Sequence, residues 1–111
     1  MTGKSFEVEL TRDAEDDLEA IHAWLAEHRS AKDADALLDG LLEAVGTLEQ
    51  FPLRGSVPAE LDAFGVREYR QVLFAPYRLI YRVIGTTVFV FVIADGRRDM
   101  QALLERRLLA R

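Results

Sequence analysis

The sequence contains no cysteine, which removes disulfides, thiolate catalysis and cysteine-ligated zinc together. It has no run approaching the roughly 18 apolar residues of a membrane span, and its start, MTGKSFEVEL, lacks an apolar signal core. A cytoplasmic protein without membrane contact is therefore expected. No glycine-rich phosphate loop occurs, since Gly55 and Gly65 fall in turn-like contexts. The only two histidines, His22 and His28, are six residues apart on one predicted helix. At about 100° per residue they point roughly 120° apart and cannot share a metal. Serines 5, 30 and 56 have no histidine placed as a base, so a nucleophilic triad has no support. No metal and no cofactor are expected.

What remains is 111 residues, half apolar and 30% charged, which fits one globular domain over 1–111. The net charge of −5 conceals a division. Residues 1–64 carry five basic against fifteen acidic residues, 5 − 15 = −10, whereas residues 65–111 carry nine against four, 9 − 4 = +5. All nine are arginine. Its planar five-donor fork suits carboxylate or phosphate, unlike the mobile point charge of lysine. Each arginine either pairs with the acidic helices or contributes to a basic contact surface.

Alternation of Phe6, Val8 and Leu10 with Glu7 and Glu9 predicts a strand. Thr11 or Asp13 can cap a helix running to about His28, with Ala14, Leu18, Ile21 and Leu25 on one face. Ser30, with Asp33 at the capping-box position, opens a second helix striped by Leu37, Leu38, Leu41, Leu42, Val45 and Leu48, which Phe51-Pro52 ends. Residues 52–65 read as a surface loop. Strands follow at about 66–74, 77–84 and 87–94, the last apolar on both faces and hence central. Asp95-Gly96 breaks it, and a final helix spans Arg98 to Leu109 with Met100, Leu103, Leu104 and Leu108 inward. The order β-α-α-β-β-β-α predicts an α+β domain: a helical hairpin on a mainly antiparallel sheet, with a C-terminal helix.

Arg78 and Arg82 share a strand face with Ile80. Arg70 lies on the adjacent strand, 95-DGRRD-99 follows the last one, and Tyr69, Tyr77 and Tyr81 are interleaved among them. Arginine with tyrosine on a sheet suits nucleic-acid contact or a protein hot spot. It equally suits buried rings with arginine stems laid over apolar surface.

The segments 51-FPLRG-55, 67-REYRQVLF-74, 77-YRLIYRV-83 and the apolar strand leading into 97-RRD-99, in this element order, resemble the ParE/RelE superfamily of bacterial toxins over about residues 6–108. The resemblance implies the toxin half of a type II toxin–antitoxin pair, neutralised by an antitoxin (ParD-like or other) encoded beside it. ParE-like members poison DNA gyrase without an established catalytic residue of their own. RelE-like members cut mRNA on the ribosome. The long hairpin, the RRD preceding a C-terminal helix and the acidic chain favour the ParE-like branch. Asp95 stands where ParE often has histidine two residues before its RR. On that branch Arg97, Arg98, Arg106 and Arg107 with the final helix are the expected target contacts. If the chain is instead a nuclease, Arg70, Arg78, Arg82 and Arg98 would hold phosphates and Tyr81 would transfer the proton. A third reading is an inactive antitoxin-binding member.

An antitoxin helix is expected across the hairpin at Leu18, Ile21, Trp24 and Leu25, its tail reaching Arg78 and Arg82 on a sheet face left open for it. Trp24 lies beside the apolar face of its helix. It is either a core residue or one that projects to the hairpin's edge.

Overall fold

A computed structural model describes residues 5–109. Strand β1 (Glu7–Leu10) leads into α1 (Arg12–His28), where Thr11 is the cap and its Oγ1 accepts from the Ala14 amide at 3.2 Å. Ser30 caps α2 (Ala31–Gly46), accepting from the Asp33 amide at 3.0 Å. The capping box is only half made. The Ser30 amide donates to the Leu25 carbonyl, while the Asp33 carboxylate faces Arg29 at 3.4 Å. Helix α2 stops at Gly46, short of Leu48, and a 3-10 turn (Thr47–Glu49) carries the chain to Phe51-Pro52.

The predicted loop 52–65 contains a short helix, α3 (Ala59–Asp62), with Leu61 buried inward. Strands β2 (Tyr69–Phe74), β3 (Tyr77–Ile84) and β4 (Thr87–Asp95) follow, β2 starting three residues later than its apolar pattern suggested. A cis Ala75-Pro76 bond links β2 to β3, and Gly85, at φ +63°, turns β3 into β4. Only glycine adopts that conformation without strain. Helix α4 (Met100–Leu104) begins two residues after the predicted start because Asp99 is its cap, accepting from the Ala102 amide at 3.1 Å. Its last turn, Glu105–Leu109, widens to π geometry.

The sheet order is β1-β4-β3-β2, with β1 parallel to β4 and the other pairs antiparallel. Strand β4 is central, as its two-sided apolar run predicts. A bulge interrupts it: Ile80 faces Val92 and Tyr81 faces Val90, so Phe91 is the extra residue. The bulge resets the alternation. Val88, Val90 and Ile93 join Leu79, Tyr81 and Val72 under Ala14, Leu41, Val45 and Leu48 of the hairpin. Val92, Ala94, Ile80 and Tyr69 go to the opposite face, where Leu61, Met100, Leu103 and Leu104 cover them.

Both sheet faces are therefore sealed, which corrects the expectation of an open second face. The molecule has three layers, with the hairpin on one side and α3 with α4 on the other. At roughly 1.5–3 kcal/mol per large apolar side chain buried, the second cluster is a core in its own right.

Candidate functional site

Burial and charge sort the arginines into two groups. Arg78 is internal: its guanidinium makes two 2.8 Å bonds to Glu60, its Nε donates to Gln71 at 2.7 Å, and its side chain is 13% exposed. The Arg78 bond holds the Glu60 carboxyl below the usual carboxylate range. This pair fastens α3 to the sheet, so Arg78 is not held ready on an open surface. Arg82 lies half-buried on the same face, over the Tyr69 ring at 5.8 Å. Arg70 faces the other way, opposite Tyr81, and donates to the Gly55 carbonyl at 2.7 Å. The sheet thus separates Arg70 from Arg78 and Arg82.

Tyr81 is completely buried, its hydroxyl accepting from the Gly55 amide at 3.0 Å, and burial pushes its pKa up. A proton-transfer role needs contact with the reacting group, so the structure removes Tyr81 from that role. The same bond accounts for the glycine of 51-FPLRG-55. A Cβ at position 55 would overlap the Gln71 carbonyl oxygen and press on the Tyr81 hydroxyl.

Arg107 is also internal. Its two terminal nitrogens each lie 3.0 Å from an Asp17 oxygen, one of them also donates to the Phe91 carbonyl at 2.8 Å, and Asp17 accepts from the Ile93 amide at 3.0 Å. Arg107 therefore satisfies the carbonyl of the bulge residue and Asp17 the amide two residues beyond it. Arg106, one position away, is exposed, as are Arg97 and Arg98. Arg97 pairs with Asp95 at 2.6 Å, and that guanidinium holds the Asp95 carboxyl at about 2. The Arg98 side chain has no hydrogen-bond or ion-pair partner among the described residues.

The residues expected at separate surfaces meet at one groove. A cleft of about 470 Å³ is bordered by Ile21 and Trp24 of α1, by Ile93, Ala94 and Asp95 of β4, and by Arg97 and Arg98. Trp24 is 57% exposed and stacks on His28 at 4.3 Å, which establishes the edge position over the core one. Leu18 packs instead into the hairpin core, and Leu25 is half-buried. Asp17 and Tyr77 also line the cleft, and neither was singled out for it from the sequence. Asp95 might have been, since an acid two positions before an arginine pair is a ready partner. Asp17 carried no such signal.

The same architecture occurs in solved toxin structures. The chromosomal ParDE toxin–antitoxin system of Pseudomonas aeruginosa superposes with a TM-score of 0.71 at 23% identity, over 84% of this chain and 98% of that one. The RelBE2 toxin–antitoxin complex of Mycobacterium tuberculosis gives 0.60 at 25% identity, over 82% and 91%. A mutant of the Escherichia coli toxin RelE in the free state gives 0.61 at 12%, over 94% and 99%. Among curated protein sequences none matches significantly. The fold is thus that of a ParE/RelE-superfamily toxin. Residues 8–100 match the family of ParE toxins of the type II toxin–antitoxin system parDE, and the chain belongs to that family. It is a toxin component with an antitoxin as partner. No described helix is long and apolar enough to cross a membrane.

Proposed function

We propose that this toxin acts in the cytoplasm by poisoning DNA gyrase and is neutralised by its cognate antitoxin. The family match over residues 8–100 carries the reading. The fate of the nuclease candidates supports it, because Tyr81 is buried, Arg78 is tied to Glu60, and Arg70 lies across the sheet from Arg82. Exposed Arg97, Arg98 and Arg106 form the target surface, with Arg107 holding the final helix in place behind them. Ile21 and Trp24 supply apolar contact for the antitoxin.

The test is a pair of assays on antitoxin-free protein: DNA cleavage by gyrase, and mRNA cutting on translating ribosomes. Cleaved DNA with intact mRNA is the expected outcome. Cut mRNA with unaffected gyrase overturns the proposal, and neither activity, with no growth arrest on expression, identifies an inactive antitoxin-binding member.

A further inference from the structure

The groove looks onto an unfinished strand edge. Strand β1 accompanies β4 only as far as Leu10, opposite Val90, where the Thr11 amide donates to the Val90 carbonyl at 3.0 Å and the chain turns away into α1. Strand β4 continues to Asp95 with β3 on one side only. On the vacated side Arg107 takes the Phe91 carbonyl and Asp17 takes the Ile93 amide. These two side chains stand in for a missing strand, a common way to blunt an open edge.

The cover stops there. The Gly96 amide bonds back to Pro76 on the β3 side, so by alternation Ile93 and Asp95 direct their backbone groups outward. The Ile93 amide is held by Asp17 and the Asp95 carbonyl by the Arg98 amide at 3.1 Å. Among the described residues the Ile93 carbonyl and the Asp95 amide have no partner, and both residues border the groove. Ile93 and Ala94 send their side chains to opposite sheet faces, yet both border the cleft. That fits a cleft that meets the strand at its edge.

We infer that an extended segment of the antitoxin adds to β4 here as a strand parallel to it, in the lane β1 vacates. The pattern of free groups sets the direction. In parallel pairing one residue opposite Ala94 donates to the Ile93 carbonyl and accepts from the Asp95 amide, using both free groups and no others. In antiparallel pairing each residue opposite Ile93 or Asp95 finds one of its two partners already taken. The charges around the cleft specify the segment. Asp17 is matched by Arg107 and Asp95 by Arg97, and Arg98 has no ion-pair partner of its own among the described residues. An acidic residue beside the paired one meets it, and an apolar neighbour packs against Ile21 and Trp24.

This inference rests on the antitoxin partnership, and amide exchange can test the two separately. Full-length labelled toxin is followed with and without the full-length antitoxin encoded beside it. In free toxin the Asp95 amide exchanges fast, whereas the Ile93 amide, held by Asp17, is slow. On binding, the Asp95 amide slows by at least about tenfold while the Ile93 amide is slow in both states. Binding that leaves the Asp95 amide fast overturns strand addition, as a helix in the groove would, but leaves the partnership intact. No binding at all overturns both. Arg98→Glu is expected to weaken the antitoxin about tenfold or more, with smaller effect at high salt. Unchanged affinity would overturn the acidic character assigned to the segment.

Discussion

Replacing Arg107 tests whether the link between the last helix and the first is structural. Arg107→Ala deletes three hydrogen bonds, two to Asp17 and one to the Phe91 carbonyl. It leaves a carboxylate whose side chain is only 18% exposed without its counter-ion. Breaking a buried pair costs about 3–5 kcal/mol, and the residual solvent contact of both partners brings this to about 2–4 kcal/mol. With a urea m-value of about 1–3 kcal/mol/M, the midpoint falls by about 1–2 M. Asp17→Asn alone keeps an acceptor for the Ile93 amide and costs less. In the double variant the stranded charge is gone, so the two losses are sub-additive by about 1–3 kcal/mol. Urea unfolding of the four proteins completes the cycle. Strict additivity, or an Arg107→Ala protein within about 0.5 kcal/mol of the native one, would refute the clamp and return Arg107 to the exposed surface.

Acid titration probes the Glu60–Arg78 pair. The Glu60 pKa is lowered in the folded state, so its stabilisation is complete above the ordinary carboxylate value of about 4.3 and is lost as pH falls below it. Glu60→Gln should destabilise at neutral pH and flatten the acid limb, and a parallel downward shift at every pH contradicts the pairing. Tyr81→Phe should cost about 1–2 kcal/mol by stranding the Gly55 amide, yet leave growth arrest intact at permissive temperature. Arrest abolished in a fully folded variant would restore a chemical role to Tyr81. Gly55→Ala should destabilise by about 1–3 kcal/mol, since a backbone carbonyl has to move to admit the methyl group. Thermal melts decide this, a neutral result meaning that the 52–56 segment is looser than its contacts imply.

Much of the fold is legible in the sequence because it is encoded locally. Thr11 and Ser30 cap the helices they precede, and the apolar run from Val88 to Ala94 marks the central strand. What stayed hidden depends on contacts between distant residues. The β4 bulge cannot be seen in VFVFVIA, where every register buries something apolar. The Ala59–Asp62 helix is a single turn whose stability comes from Leu61 and the Glu60–Arg78 pair rather than from propensity. The arginines posed a similar difficulty. Arg78 and Arg107 match the chemistry of a binding surface, but their carboxylates lie 18 and 90 positions away in sequence. Trp24 was ambiguous because a helical wheel places it beside the apolar stripe, and only the position of β4 decides which side of it faces water.

The parallel pairing of β1 with β4 also constrains how the chain is born. Glu7 lies opposite Thr87, so β1 waits for β4, and Asp17 waits longer still for Arg107. Contacts of such separation form late, because the intervening loop must close before they stabilise anything. Hairpin α1–α2 can form early, but its sheet cannot. A nascent or truncated chain that ends before β4 therefore has neither the groove nor the clamp. Completion of the fold is thereby tied to the synthesis of β4 and the helix that follows it.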